Sequence, residues 1–169
     1  MFWNFMRRPL GQDFARTWPD DATPSGHEHR PLVLFESPDG AEAHAAWKLL
    51  RRHGYRMSWC PGPQGGFSPE CALSATGHCP LVDRADAVVS ALDLSSPTCG
   101  EVVRALDAQA AETPVVIVTP RRSAAQWAEE VPDCQVVAGP LSSKVLIRSL
   151  SVARHGGAPK KAPAVATSA

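Results

Sequence analysis

Four cysteines and one histidine form the most concentrated set of reactive side chains in this sequence. Cys60, Cys71, His78 and Cys79 share one segment, and Cys99 follows at the start of a predicted helix. Four thiols, or three thiols with the histidine, would complete the four-ligand shell of zinc or of an iron-sulfur cluster. A helix N-terminus is also expected to lower the pKa of the Cys99 thiol.

The spacing of these cysteines leaves three interpretations open. No two of them form a C-x-x-C pair, the short knuckle that zinc sites commonly use. Free cysteines also pack as small hydrophobic side chains, so inert thiols are a second interpretation. A reversible disulfide such as Cys60 to Cys79 is the third. Cys134 precedes the last predicted strand at the opposite end of the sheet, and we expect it to be structural.

Carboxylate and hydroxyl side chains follow several apolar runs. Asp93 lies near the end of the run 87–94, and Pro97 follows it by four residues at the start of a predicted helix. Glu36 and Ser37 follow an earlier run, and Thr119 ends a later one. In open α/β sheets, functional groups collect outside the carboxyl ends of the strands, so we expect these side chains at one edge.

An alternation of strand and helix patterns positions these side chains. Helical spacing of apolar residues follows every predicted strand except the second, after which glycine and proline argue against a regular helix. The alternation predicts an α/β fold with a doubly wound, five-stranded parallel sheet. Its second helix would be replaced or shortened by a loop rich in Cys, Gly and Pro. The predicted strands are 31–35, 55–60, 87–94, 114–119 and 135–138.

Residues 31–154 resemble a response-regulator receiver domain, which has a flavodoxin-like α/β fold. Asp93 with Pro97 resembles the phospho-acceptor strand and the turn after it. The stretch 113–119 resembles the fourth receiver strand, which ends in a Ser or Thr that follows the phosphoryl group. The stretch 136–141 resembles the fifth strand and its Lys-Pro-Phe corner.

Several residues that this resemblance requires are replaced. Receivers hold magnesium with an acidic pair after the first strand, where one of the two carboxylates has become a hydroxyl. Gly139 replaces the lysine that neutralises the phosphoryl group in receivers, and Val136 replaces the aromatic switch residue. Phosphoryl transfer depends on placed positive charge, so its loss removes much of the stabilisation. The resemblance therefore implies a vestigial phospho-acceptor pocket: Glu36, Ser37, Asp93, Thr119, Gly139 and Pro140.

The family's peptide bond at the Lys-Pro corner is usually cis. Only X-Pro bonds adopt the cis form at low cost. The resemblance therefore implies that the bond between Gly139 and Pro140 is cis as well.

The composition is that of a cytoplasmic globular protein. The charges of the 17 basic and 17 acidic side chains cancel, so no net charge attracts nucleic acid. No apolar stretch is long enough to span a membrane. We expect 1–29 to be an irregular N-terminal arm, 30–155 to be the receiver-like domain and 156–169 to be a disordered tail.

These features predict a non-catalytic, receiver-like regulatory or protein-interaction module that is not phosphorylated in the conventional way. By analogy with the family, the surface of its fourth and fifth helices would contact a protein partner or a second copy of the chain. The alternative is a metal-binding protein (zinc or iron-sulfur) or a thiol redox sensor that uses the loop 60–79. A third hypothesis is an ordinary aspartyl-phosphate receiver at Asp93.

Overall fold

A six-stranded sheet with the order β1-β3-β2-β4-β5-β6 forms the centre of the computed structural model, which describes residues 16–17, 30–63, 71–109 and 113–155. Strands β2 to β6 are parallel to one another. Their order is that of a flavodoxin-like sheet, which confirms the predicted five-stranded parallel sheet. The strands are β1 Arg16–Thr17, β2 Leu32–Glu36, β3 Arg56–Cys60, β4 Ala87–Ser90, β5 Val115–Thr119 and β6 Gln135–Ala138.

Helices cover both faces of this sheet and bury two apolar clusters. One cluster contains Phe35 with Leu50 of α1 and Leu150 of α6. The cluster on the other face contains Leu73 of α2 and Trp127 of α5, together with residues of α3 and α4. None of the helices in the described part of the chain is long and apolar enough to cross a membrane. The helices are α1 Gly40–Arg52, α2 Ala72–Thr76, α3 Pro80–Asp83, α4 Pro97–Asp107, α5 Arg121–Glu130 and α6 Ser143–His155.

The second helix of the fold is reduced to two short helices. Between β3 and β4 the chain forms α2 of five residues and α3 of four residues. This confirms the shortening that the glycine and proline content predicted. The segment 64–70, which contains much of that glycine and proline, lies outside the described residues.

The N-terminal arm contributes an edge strand that the sequence did not predict. Arg16 and Thr17 pair antiparallel with Trp59 and Ser58 of β3. This pairing covers part of the β3 edge, and β1 becomes the edge strand on this side of the sheet. The other residues of the predicted arm before Arg30, and the predicted tail 156–169, lie outside the described residues.

Strand β4 ends earlier than predicted, and this changes the position of Asp93. The last ladder bond at this end runs from the amide nitrogen of Ala91 to the carbonyl oxygen of Glu36, at 2.8 Å. Leu92 is then buried, and the chain turns before α4 begins at Pro97, where a helix start was predicted. Asp93 therefore lies in the connecting segment rather than on the strand.

The Trp127 ring of α5 packs closely against helix α4 at Gly100. A β-carbon placed on Gly100 would lie 3.1 Å from the Trp127 ring, so the glycine permits this approach. The Arg104 guanidinium lies 5.5 Å from the centre of the same ring, and its Nη2 lies 2.8 Å from Oε2 of Glu130. An aromatic ring therefore fills the space between the two helices, with a cation over one face.

Candidate functional site

Glu36 is buried at the carboxyl edge of the sheet. It pairs with Cys60 of β3 on one side and with Ser90 of β4 on the other. Glu36 is 2% exposed, and neither its Oε2 nor the Ser90 hydroxyl has a hydrogen-bond partner of good geometry among the described residues. Loss of solvation raises the pKa of Glu36 to about 7, although the neighbouring Ser90 hydroxyl opposes part of the rise. The Glu36 carboxyl group therefore titrates near neutral pH.

Ser37 and Asp39 are used to start helix α1. Ser37 is fully buried, and its hydroxyl donates to Oε2 of Glu42 at 2.6 Å. Asp39 is the N-cap of α1, and its Oδ1 accepts from the amide of Ala41 at 2.8 Å. The two groups that follow Glu36 in the sequence thus serve local structure, as N-cap carboxylates and hydroxyls commonly do.

Asp93 is exposed and is held by its own turn. Its Oδ1 accepts from the Ser95 amide at 3.0 Å and from the Ser95 hydroxyl at 2.7 Å. These bonds lower the pKa of Asp93, and the charge of Arg122 acts in the same direction. An aspartate that bonds to the backbone two residues on forms an Asx turn, which is a structural role for this side chain.

Thr119, Gly139 and Pro140 occupy the edge formed by β5 and β6. Thr119 is buried, and its hydroxyl lies 3.0 Å from the hydroxyl of Ser123 in α5. Its carbonyl accepts from the Gly139 amide at 2.9 Å. The bond between Gly139 and Pro140 is trans, so the expected cis peptide is wrong. Gly139 has a φ of 96°, a backbone conformation that glycine adopts readily. The chain therefore turns at this position with a trans peptide bond.

Placing at this corner the lysine that the receiver resemblance implies is expected to destabilise the protein. Gly139→Lys would place a side chain on a backbone with φ 96°, a strain worth about 1–2 kcal/mol. Urea unfolding would measure the loss. Gly139→Asn is the matched control, because asparagine tolerates positive φ better and should lose less. An unchanged unfolding midpoint for Gly139→Lys would contradict the expectation.

These residues do not fit the magnesium site that the receiver resemblance implies. Magnesium requires several oxygen ligands around one point. The Ser37 hydroxyl is instead bonded to Glu42, and the Asp93 carboxylate is bonded to Ser95 in an exposed turn. Within the described part of the chain, no three His, Cys, Asp or Glu side chains are grouped so that they could hold a metal ion.

The four predicted site cysteines pack against the same hydrophobic cluster of the sheet. Cys79 and Cys99 are buried in it, whereas Cys60 and Cys71 are half-buried against it. Burial raises the pKa of the Cys60 thiol to about 12, with the charge of Glu36 as the next cause. Burial also raises the pKa of Cys79 and of Cys99. The lower pKa expected for Cys99 is therefore wrong, because complete burial outweighs the N-terminus of α4.

His78 and Cys134 make hydrogen bonds or ion pairs with carboxylates instead. The Nε2 of His78 lies 3.1 Å from Oδ2 of Asp83, and the histidine side chain is 64% exposed. Cys134 is buried before β6, where its amide donates to Oδ1 of Asp107 at 3.1 Å. Burial, and secondarily Asp107, raise the pKa of Cys134. Four of the five predicted metal or redox residues therefore pack in or against one hydrophobic cluster, whereas the His78 side chain is exposed and paired with Asp83.

Sequence comparisons find no relative: no protein-family model matches the chain, and no curated protein matches it. Solved structures similar to it include receiver domains. One is a receiver domain protein from Clostridium thermocellum, with 12% identity, a TM-score of 0.56, and coverage of 75% of this chain and 95% of that one. The receiver domain of HemR from Leptospira biflexa has 17% identity and a TM-score of 0.55, with coverage of 78% and 100%.

A third similar structure is the receiver domain of a histidine kinase from Syntrophus aciditrophicus. It has 15% identity and a TM-score of 0.56, with coverage of 81% of this chain and 99% of that one. At such low identities the similarity shows a shared fold. A shared fold does not by itself determine function. The chain has the fold of response-regulator receiver domains.

Proposed function

We propose that this protein is a non-catalytic regulatory or protein-interaction module with a receiver fold, and that it is not phosphorylated in the conventional way. The position of Asp93 is the observation that carries the proposal. The ladder ends at Ala91, so the aspartate lies beyond the strand in an exposed turn that Ser95 closes. We infer from this exposed turn that Asp93 does not hold a metal ion together with the buried Glu36.

Among the described residues, the positive charge that acts on Asp93 is small compared with what phosphoryl transfer needs. Gly139 supplies no cation, and Arg122 makes the last and smallest contribution to the pKa of Asp93. Charge that develops on a transferring phosphoryl group must be stabilised by placed cations or donors. The described residues around Asp93 therefore favour a silent site.

The contact surface in this proposal is formed by α5 and α6, which correspond to the fourth and fifth helices of a receiver. An open groove of about 480 Å³ runs along α6 to His53 just after α1, so the α6 part of this surface is the part that a groove supports; none of the described residues that line it belongs to α5. Lys144 and Arg148 line it, and Val152 beside them is 52% exposed. Positive charge beside an exposed aliphatic side chain favours a protein partner with an acidic, partly apolar surface. A homodimer and a cytoplasmic location stay predictions.

Treatment with a small phosphoryl donor tests the silent site. The full chain is incubated with acetyl phosphate and magnesium, and its intact mass is measured beside that of a receiver domain known to be phosphorylated. We expect no phosphoryl adduct on this chain under conditions that modify the control. An adduct that is present on the wild type and lost in Asp93→Asn would contradict the proposal.

The zinc or iron-sulfur alternative has weaker support. The four thiols share one cluster, but no three candidate ligands in the described part of the chain are grouped to hold a metal ion, and His78 is paired with Asp83. Protein purified without oxygen can be assayed for zinc and iron. One bound metal ion or cluster per chain would favour this alternative over an inert set of thiols.

A further inference from the structure

Helices α1 and α6, which cover one face of the sheet, are basic. They pack into the cluster that contains Leu50 and Leu150. Helix α6 has no Asp or Glu in its sequence, and the one acidic residue of α1, Glu42, accepts a hydrogen bond from Ser37. The basic residues of the two helices include Lys48, Arg51, Arg52, Lys144 and Arg148. This side of the sheet therefore has a surplus of positive charge, although the net charge of the chain is zero.

Helices α3 to α5 on the other face carry most of the acidic residues of the helices. These are Asp83, Glu101, Asp107, Glu129 and Glu130. Arg104 of α4 is paired there, because its Nη2 lies 2.8 Å from Oε2 of Glu130. By contrast, no carboxylate of the described residues lies within ion-pair distance of Lys144 or Arg148. These two cations of α6 can therefore pair with carboxylates of another molecule.

The groove beside α6 combines these cations with aliphatic side chains. Its α6 wall is one helical stripe of residues four positions apart: Ser143 and Lys144, Ile147 and Arg148, Ser151 and Val152. Ile147 packs against the apolar cluster from outside, and Val152 is 52% exposed. At 1.5 Å per residue the stripe is about 13 Å long. The groove thus presents aliphatic surface and positive charge along the same line.

We propose that this groove binds an acidic amphipathic helix of a different protein. Apolar residues of that helix would cover Ile147 and Val152, and carboxylates beside them would pair with Lys144 and Arg148. A helix fits because side chains four residues apart form a ridge, and helices pack with the ridges of one in the grooves of the other. The inference rests on the proposed function, in which this chain is an interaction module, and it specifies the chemistry of the partner.

A second copy of this chain and a nucleic acid fit the groove less well. Two copies joined through this same face would bring their basic helices together. The basic side of one copy against the acidic side of another is a heterologous contact, which leads to rings or open filaments rather than to a closed pair. A phosphate backbone would pair with the cations but would bring no apolar surface to cover Val152. A protein helix satisfies both features of the groove.

Binding of a designed peptide to the full chain tests the proposal. The probe is a fluorescein-labelled helix of roughly 18 residues, with leucine at helical spacing along one face and glutamate beside it. We expect fluorescence anisotropy to show saturable binding that weakens as salt is added. A scrambled peptide of the same composition and a DNA duplex of similar charge are expected to bind about tenfold more weakly or worse.

Two exposed positions in the groove identify the site. Arg148→Glu reverses a charge, Val152→Asp replaces the exposed aliphatic side chain, and each is expected to weaken binding by about tenfold or more. Arg84→Glu is the matched control, because Arg84 is exposed and follows α3 on the other face of the sheet. It changes the net charge as much as Arg148→Glu does and should bind the peptide as the wild type does. Circular dichroism of each variant separates loss of binding from loss of folding.

Several results would overturn the proposal. These are no saturable binding of the amphipathic peptide, equal binding of the scrambled peptide, and equal effects of Arg148→Glu and Arg84→Glu. Tighter binding of the duplex would assign the groove to nucleic acid, and a dimer in analytical ultracentrifugation that Arg148→Glu dissociates would assign it to a second copy. Each of these results leaves the silent Asp93 standing, because the intact-mass experiment measures phosphorylation separately.

Discussion

Glu36→Gln is expected to remove most of the pH dependence of stability between the ordinary carboxyl pKa of 4.5 and about 7. Glu36 is 2% exposed, and loss of solvation on burial is the main reason that its pKa is raised. A difference of this size between the folded and unfolded pKa corresponds to about 3 kcal/mol. Glutamine has nearly the same shape and carries no charge at any pH.

The sign of this effect follows from proton binding. The folded protein keeps the Glu36 proton up to about pH 7, whereas the unfolded chain releases it near 4.5. Between these values the unfolded state binds fewer protons, so the free energy of unfolding falls as the pH rises. Above the folded pKa the full cost of a buried carboxylate remains. The wild type is therefore expected to be more stable in mild acid than in mild base.

Urea unfolding of wild type and Glu36→Gln at about pH 5 and about pH 8 would measure this difference. We expect similar stability for the two proteins in acid, and a more stable Glu36→Gln in base. Asp93→Asn is the matched control at the same sheet edge, because the pKa of Asp93 is lowered rather than raised. That variant should retain the wild-type fall. A wild type without a fall, or an equal fall in Glu36→Gln, would contradict the expectation.

Trp127→Ala is expected to cause the largest loss of stability from a single side chain of α5. Trp127 is 5% exposed, and its ring fills the space between α4 and α5 against Gly100. A glycine has no side chain that could fill the resulting void. Truncation of a buried tryptophan costs about 3–5 kcal/mol, because the transfer energy is lost and a cavity remains. The change would also release Arg104 from its position over the ring.

Trp47→Ala provides the control for this substitution. Trp47 in α1 also has an arginine guanidinium, that of Arg51, at 5.5 Å from its ring centre, but Trp47 is only half-buried. Chemical unfolding of both variants should show the smaller loss for Trp47→Ala. Equal losses would mean that the cation over the ring, rather than burial between α4 and α5, dominates the contribution of Trp127.

Much of the fold was predictable from local patterns. The β-branched run before Thr119 predicted a strand buried on both faces, and the structure places β5 between β4 and β6. Pro97 predicted the start of a helix, and α4 begins there. The strand Arg16–Thr17 was not predictable, because a pair of residues carries no periodicity and its strand character depends on β3.

The candidate site was only partly predictable. Asp93, Glu36 and Thr119 were expected at the carboxyl edge of the sheet. The strand before Asp93 was predicted to be too long, because the apolar pattern continues through Ala91 and Leu92 beyond the end of β4. Whether a strand continues depends on its hydrogen-bonded neighbours, and the ladder with β2 ends at Ala91. Likewise, the pKa of the Cys99 thiol depends on the cluster that buries it and not only on its place in α4.

The order of the strands along the chain, the helix start at Pro97 and the weak second helix follow from the sequence alone, because propensity and period act between near neighbours. Only the tertiary structure decided that Oε2 of Glu36 lacks a partner of good geometry among the described residues, that Asp93 is exposed, and that Cys60 and Cys71 pack half-buried against one apolar cluster. Burial and proximity between residues distant in the chain depend on how the helices pack against the sheet. No local pattern of residue types contains that information.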